Sequence, residues 1–150
     1  MRIKGKVIPG HGVASGIGED SRYPDGTLRQ QIPYFLKHGL DLNSYFLGTI
    51  NLDIAPYQFK IGNARLFLKN IDWSDYIPPE NFFFFDVEAY RDQEVFEGLI
   101  YMPDPATKKD HAQKESVLEL ILPKIDDLHY GDTLVISVPS DQMRFFSKTD

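Results

Sequence analysis

The chain has 150 residues, of which 42% are apolar and 25% charged, a composition typical of a globular protein that predicts a single domain over residues 1–150. It contains no cysteine, so thiolate metal sites, disulfides and thiol nucleophiles are excluded. Sixteen Lys and Arg stand against 22 Asp and Glu, and the resulting net charge of −6 disfavours binding along a nucleic-acid backbone.

The sequence also indicates where the protein is found. The basic start Met1–Lys6 is not followed by the apolar stretch of about 7–15 residues that a secretory signal contains. The longest apolar runs, such as Phe82–Phe85, are far shorter than the about 20 residues of a membrane helix. We therefore expect a cytoplasmic protein without a membrane or nucleic-acid partner, and the sequence leaves its oligomeric state open.

Aromatic and β-branched residues cluster between ten prolines and eleven glycines, a pattern typical of a mainly β protein. A first strand is predicted at Lys4–Ile8, where Pro9 ends it. Seven later strands are predicted at Thr49–Ile54, Gln58–Ile61, Arg65–Leu68, Phe82–Tyr90, Val95–Met102, Val117–Leu122 and Thr133–Val138. Residues 90–95 are expected to form a hairpin turn, and residues 70–81 and 103–114 to form loops. Because closure removes exposed strand edges, we expect a closed barrel of six to eight strands with one or two short helices.

The best predicted helix is Thr27–His38. Thr27 can act as its N-cap, and Gly39 follows it as the residue that ends a helix in the left-handed conformation. Pro33 falls inside this segment and could restrict the helix to the part after Gln31. The apolar stripe of this helix is predicted to consist of Leu28, Ile32, Phe35 and Leu36.

A glycine-rich segment, Gly10–Gly18, follows the first strand with four glycines in nine residues. Successive backbone N–H groups in such a segment can form a concave site for phosphate, because glycine allows the backbone to approach closely. It is neither a G-x-G-x-x-G motif nor a Walker A motif. A plain connecting loop is the alternative interpretation.

Two polar positions interrupt predicted strands. In Gly48-Thr49-Ile50-Asn51, residues i and i+2 share one face of a strand, so Thr49 and Asn51 could together ligate Mg²⁺ through oxygen. The alternative is a solvated strand face, which spacing alone favours. In the apolar run Leu118–Pro123, Glu119 could bind or deprotonate a hydroxyl group, or could simply belong to a polar face.

Several segments together resemble the CTP-dependent, archaeal-type riboflavin kinases, which are built on a cradle-loop barrel. The most specific of them is Gly48-Thr49-Ile50-Asn51, which is similar to the Gly-Thr-Leu-Asn of that family. The others are Gly5–Gly12, Glu97–Pro103, Leu118–Pro123 and the pair Gly131-Asp132. These segments run in the family's order over nearly the whole chain.

The resemblance implies a role for each matching position. Thr49 and Asn51 match the Mg²⁺ ligands, and His111 and Glu119 fall at flavin contacts. Glu119 is also the best candidate to orient or deprotonate the riboflavin 5′-hydroxyl. The nucleotide contacts fall in two runs, Gly10-His11-Gly12-Val13-Ala14-Ser15 and Lys124-Ile125-Asp126-Asp127. The implied reaction is transfer of the CTP γ-phosphoryl to riboflavin, giving FMN.

The chain departs from the family pattern in three of these places. His111 stands where the family often has a threonine. The family's loop usually continues Gly-x-Gly-Glu-Gly, whereas here Val13 and Ala14 follow Gly12. Asp126 and Asp127 stand where the family often has a basic residue, and carboxylates repel phosphate oxygens. A non-catalytic binding or regulatory domain is therefore the alternative hypothesis. A DNA-binding relative of the barrel is disfavoured by the net charge of −6.

Overall fold

A computed structural model describes residues 1–9, 27–46, 48–75, 78–104 and 116–147. Within these ranges the prediction of a mainly β protein is confirmed, because nine strands accompany one helix. The helix α1 spans Thr27–Lys37. The strands are β1 (Arg2–Ile8), β2 (Ile50–Asp53), β3 (Tyr57–Ile61), β4 (Leu66–Ile71), β5 (Glu80–Arg91), β6 (Glu94–Pro103), β7 (Val117–Ile121), β8 (Thr133–Ser137) and β9 (Met143–Ser147).

Six of the strands form a closed ring in the order β5-β6-β7-β2-β1-β8, and β8 pairs back with β5. The long strand β5 makes closure possible, because its first part pairs with β4 and its last part, from Glu88, pairs with β8. All pairings in the ring are antiparallel. Strands β3 and β9 form a separate two-stranded sheet.

Alternation along the strands separates the inside of the ring from its outer face. On β7, Leu118 and Leu120 belong to the large buried cluster, which we call the interior core. Glu119 lies between them in sequence and is only half-buried, because successive strand side chains point to opposite faces. Apart from Ile125, the interior core contains buried side chains from β1, β2, β5, β6, β7, β8, β9 and the residues that adjoin them.

Helix α1 packs on the outer face of the ring. Its Phe35 ring meets Phe82 and Phe84 of β5 edge to face, with ring centroids 5.0 and 5.3 Å apart. These contacts belong to a second buried cluster, the outer cluster, to which Leu28 and Tyr101 also contribute. Edge-to-face aromatic pairs of this kind stabilise packing beyond the burial of apolar area.

The structure confirms the start of the predicted helix and corrects one detail of its apolar stripe. Pro33 does not restrict the helix to the part after Gln31, because the helix spans Thr27–Lys37 with an exposed Pro33 inside it. Leu36 is 51% exposed rather than part of the apolar stripe. At about 100° per residue, the buried face centres on Leu28 and Phe35, which turns Leu36 toward solvent and places Gln31 inside.

The predicted end of the helix agrees with the structure. Gly39 has a φ of 91°, in the left-handed region that glycine adopts without strain. The Leu40 N–H donates to the Phe35 carbonyl at 3.0 Å, and the Gly39 N–H donates to the Leu36 carbonyl at 3.1 Å. This pattern is the Schellman motif, and it satisfies carbonyl groups that the end of a helix would leave unpaired.

All eight predicted strands are present, with shifted ends, but β9 was not predicted. The predicted loop 70–81 is shorter than expected, because β4 continues to Ile71 and β5 begins at Glu80. Asn70 accommodates a bulge in β4 with a φ of 55°, which asparagine tolerates better than most residues. Pro103, predicted to start the second loop, is the last residue of β6 and lies opposite Phe82.

The strand directions define two ends of the ring. At the upper end β1, β5 and β7 finish and β2, β6 and β8 begin, as the antiparallel registers require. The predicted hairpin turn lies there, with only Asp92 and Gln93 between β5 and β6. At the lower end, Tyr57 and Phe59 of β3 and Phe145 of β9 pack against the interior core. Helix α1, the single helix in the described ranges, lacks the length and apolar character of a membrane span.

Candidate functional site

Asn51 and Glu119 lie directly opposite each other on neighbouring strands. The register of β2 and β7 pairs Asn51 with Glu119, and the register of β6 and β7 pairs Tyr101 with Glu119. Side chains of directly opposed residues share one face, with Cβ atoms about 5 Å apart. The three residues therefore form a row across the outer face of the ring.

Thr49 joins this row from just before β2. Its hydroxyl group donates a hydrogen bond to Oε1 of Glu119 at 3.3 Å, which places Thr49 on the same outer face as Asn51. Thr49, Asn51 and Glu119 are all half-buried, so each is held by its neighbours and remains accessible to a ligand. We refer to these three residues as the oxygen site.

The oxygen site offers a hydroxyl, an amide carbonyl and a carboxylate group. These are hard oxygen donors, the kind that Mg²⁺ prefers alongside phosphate oxygens. In the part of the chain that the structure describes, no group of three or more His, Asp or Glu side chains could hold a metal ion. Because Thr49 and Asn51 offer oxygen donors, they suit Mg²⁺ better than zinc or another metal that favours nitrogen.

Two residues that the sequence analysis did not single out border the oxygen site. The Tyr101 hydroxyl donates to Oε1 of Gln31 on helix α1 at 2.7 Å, and both side chains are buried. Burial first, and then the carboxylates of Glu119 and Glu80, raise the pKa of Tyr101 well above its ordinary value, against an opposing effect of the bond to Gln31. Tyr101 is therefore a neutral hydrogen-bond donor at physiological pH.

A sequence signal for one of these residues exists. Gln31 lies three residues after Leu28 and four before Phe35, so helical spacing puts it on the buried face. A glutamine there needs a buried partner, because an unpaired buried amide is costly. Nothing in the local sequence identifies Tyr101 as that partner, since the two residues are 70 positions apart.

The second nucleotide run follows β7 at the upper end. Lys124, Asp126 and Asp127 are exposed, whereas the Ile125 side chain packs in the interior core. Arg91 of the hairpin donates through Nη1 to the Asp126 carbonyl oxygen at 2.6 Å. The Ile125 side chain and the Asp126 carbonyl group therefore hold the backbone of this run in place, whereas Asp126 and Asp127 are exposed.

The upper end also brings the end of β1 near this loop. The Gly131 N–H donates to the Val7 carbonyl at 2.7 Å, and the Val7 N–H donates to the Asp132 carbonyl at 2.8 Å. Ile8, the last residue of β1, pairs with Asn51. The chain that leaves β1 toward the glycine-rich segment therefore starts beside the oxygen site.

The remaining predicted contacts lie outside the described residues. These are the first nucleotide run, Gly10 to Ser15, and the flavin contact His111. The strand ends that bracket His111 in sequence, Pro103 and Val117, lie at the lower end of the ring.

Comparison with known proteins adds no relative to this picture. No family model matches the chain, and no curated protein matches it.

Proposed function

We propose that the protein is a CTP-dependent riboflavin kinase-like phosphotransferase on a cradle-loop barrel. The observation that carries this proposal is the meeting of two motifs that are 70 residues apart in the sequence. The Gly-Thr-x-Asn segment supplies Thr49 and Asn51, and the Leu-Glu-Leu segment supplies Glu119. Nothing in either segment alone requires the other, yet their polar side chains share one accessible face.

The residues of the oxygen site suit the proposed chemistry. Thr49 and Asn51 would hold Mg²⁺, which when bound neutralises charge on the β and γ phosphates. Glu119 accepts the proton of the riboflavin 5′-hydroxyl group while the oxygen of that hydroxyl group attacks the γ phosphorus of CTP. The bond from that phosphorus to the β–γ bridging oxygen breaks, so the products are FMN and CDP.

The remaining contacts in the proposal come from the family pattern. Backbone amides of Gly10 to Ser15 and the run Lys124 to Asp127 bind the nucleotide, and His111 contacts the flavin. The β1 end beside Asn51 supports the first assignment, and the loop after β7 at the same end supports the second. The partners are small molecules in the cytoplasm, and neither nucleic acid nor a membrane is among them.

One observation favours a second candidate, a non-catalytic ligand-binding or regulatory domain. Asp126 and Asp127 are exposed at the upper end, where the nucleotide would bind. Their charges would repel a triphosphate, more strongly if solvent is excluded. A protein that has lost phosphoryl transfer has no need for a favourable charge at this position.

The test is FMN formation by the purified protein with riboflavin, Mg²⁺ and each nucleoside triphosphate in turn. We expect FMN with CTP and its loss on chelation of Mg²⁺. Glu119→Gln should remove most turnover, whereas Glu97→Gln serves as the matched control, because Glu97 is an exposed glutamate on neighbouring β6. Riboflavin binding without turnover of any nucleotide would establish the second candidate instead.

A further inference from the structure

The bond between Gln31 and Tyr101 is a buried polar contact inside an aromatic cluster. Gln31 is 2% exposed and Tyr101 is 4% exposed. Around them lie Phe35, Phe82 and Phe84, with the Tyr101 ring centroid 5.8 Å from that of Phe82 and 6.0 Å from that of Phe84. A phenol hydroxyl in such surroundings must have an acceptor, because leaving it unpaired costs the full desolvation of the group.

Carboxylates are the competing acceptors for this hydroxyl group. Glu119 lies directly opposite Tyr101 on β7, and Glu80 lies on the same face of β5 as Phe82. A hydrogen bond from a phenol to a carboxylate is charge-assisted and stronger than one to an amide. Both carboxylates already accept a hydrogen bond at 3.3 Å, Glu80 from Nε1 of Trp73 and Glu119 from the Thr49 hydroxyl group. Glu119 is the principal competitor of the Gln31 amide oxygen because it lies directly opposite Tyr101, whereas Glu80 lies four residues along β5 from Phe84, the other residue opposite Tyr101.

We propose that Gln31 is a positioning residue for Glu119: by accepting the Tyr101 hydrogen bond, it keeps that donor away from the Glu119 carboxylate. The inference rests on the proposed function insofar as Glu119 must accept the proton of the substrate hydroxyl. A further donor on the carboxylate would compete with the substrate hydroxyl group for its oxygen atoms. Helix α1 thus contributes to the oxygen site without contacting substrate.

The kinetic test compares three variants. Gln31→Met keeps the length of the side chain but removes the acceptor, so the Tyr101 hydroxyl should turn to Glu119. We expect kcat to fall about tenfold or more with KM within about twofold, the signature of an interaction lost in the transition state. Tyr101→Phe removes the donor, so the double variant with Gln31→Met should regain most of the lost kcat.

A purely structural role gives a different pattern. In that case Gln31→Met and Tyr101→Phe would each leave one buried partner unpaired, and both would lower kcat in proportion to their loss of melting temperature. Full activity of Gln31→Met would also overturn the inference. If Gln31→Met does not fold, Gln31→Asn, which withdraws the amide by one methylene group, takes its place.

A second measurement does not depend on activity. The melting temperature is compared with and without Glu119→Gln in the parent, in Gln31→Met and in the double variant. We expect Glu119→Gln to lower the melting temperature most in Gln31→Met, where the carboxylate has gained the Tyr101 hydrogen bond, and less in the parent and in the double variant. An equal drop in melting temperature in all three proteins would overturn the inference. So would a drop that depends on Gln31→Met for Glu80→Gln but not for Glu119→Gln.

The two measurements separate this inference from the proposed function. A parent protein that makes no FMN but shows the melting-temperature coupling would refute the kinase while the hydrogen-bond competition stands. A parent that makes FMN without the coupling would refute only the role of Gln31.

Discussion

The two faces of strands β2 and β7 have opposite characters. Facing inward, Leu52, Leu118 and Leu120 are buried in the interior core. Facing outward, Asn51 and Glu119 are half-buried and lie opposite each other. Because side chains alternate along a strand, one pair of strands supplies both the core and the oxygen site. Substitutions on the outer face leave the contacts of the interior core in place, so we expect them to change turnover, whereas substitutions on the inward face should change stability.

The largest expected effect is on the inward face. Leu120→Ala should destabilise the protein by about 2–5 kcal/mol, because it leaves a cavity at a fully buried position. Urea unfolding measures the change, with Asn51→Ala on the outer face as the comparison, expected to cost about 1 kcal/mol or less. Equal losses of stability for the two variants would refute the separation of the faces.

The next effect is on turnover. Asn51→Ala should lower kcat by at least about a hundredfold. Loss of a residue that only orients a metal ligand costs up to about a hundredfold, and Asn51 would be a ligand itself. The variant should remain folded by circular dichroism and melt close to the parent. Turnover at the parent rate in folded Asn51→Ala would remove Asn51 from the metal site.

A smaller effect is expected from Tyr101 at alkaline pH. Above about pH 10, tyrosine in the unfolded chain loses its proton, whereas Tyr101 in the folded protein keeps it because its pKa is raised. The unfolded state then binds fewer protons, so stability falls as pH rises through this range. Tyr101→Phe should lose less stability than the parent over the same range in urea unfolding. An equal loss of stability in Tyr101→Phe and in the parent would show that Tyr101 does not cause the fall.

The smallest effect concerns the charges after β7. Asp127→Arg should tighten CTP binding by about twofold to fivefold, the range of an exposed charge contact. The gain should shrink with added salt, because charges are screened beyond about 8–10 Å. Calorimetry at two salt concentrations measures it. Asp127 has a φ of 56°, a conformation that asparagine tolerates better than arginine does. Asp127→Asn is therefore the control, because it removes the charge of Asp127 without straining the backbone. Unchanged affinity for Asp127→Arg at both salt concentrations would place Asp127 away from the phosphates.

Two features of the fold differ from the sequence prediction, and each difference has its own physical reason. Strand β9 was missed, although Met143 and Phe145 face the interior core with the polar Arg144 between them. Its pairing with β3 is a contact between segments more than 80 residues apart, which local propensity does not report. The exposure of Leu36 has a local cause instead, because at about 100° per residue it lies beside the buried face that centres on Leu28 and Phe35.

By itself, the sequence determined eight of the nine strands in the described residues, the end of the helix at Gly39 and the shared face of Thr49 and Asn51. These follow from local physics, namely the alternation of strand side chains, the breaks at proline and the left-handed conformation of glycine. Only the tertiary structure decided that Glu119 lies opposite Asn51, and that Gln31 binds Tyr101 beside it. The register of β2 on β7 and the docking of helix α1 arise from hydrogen bonds and packing between distant segments. A linear pattern therefore identifies the members of a site before it can show which of them meet.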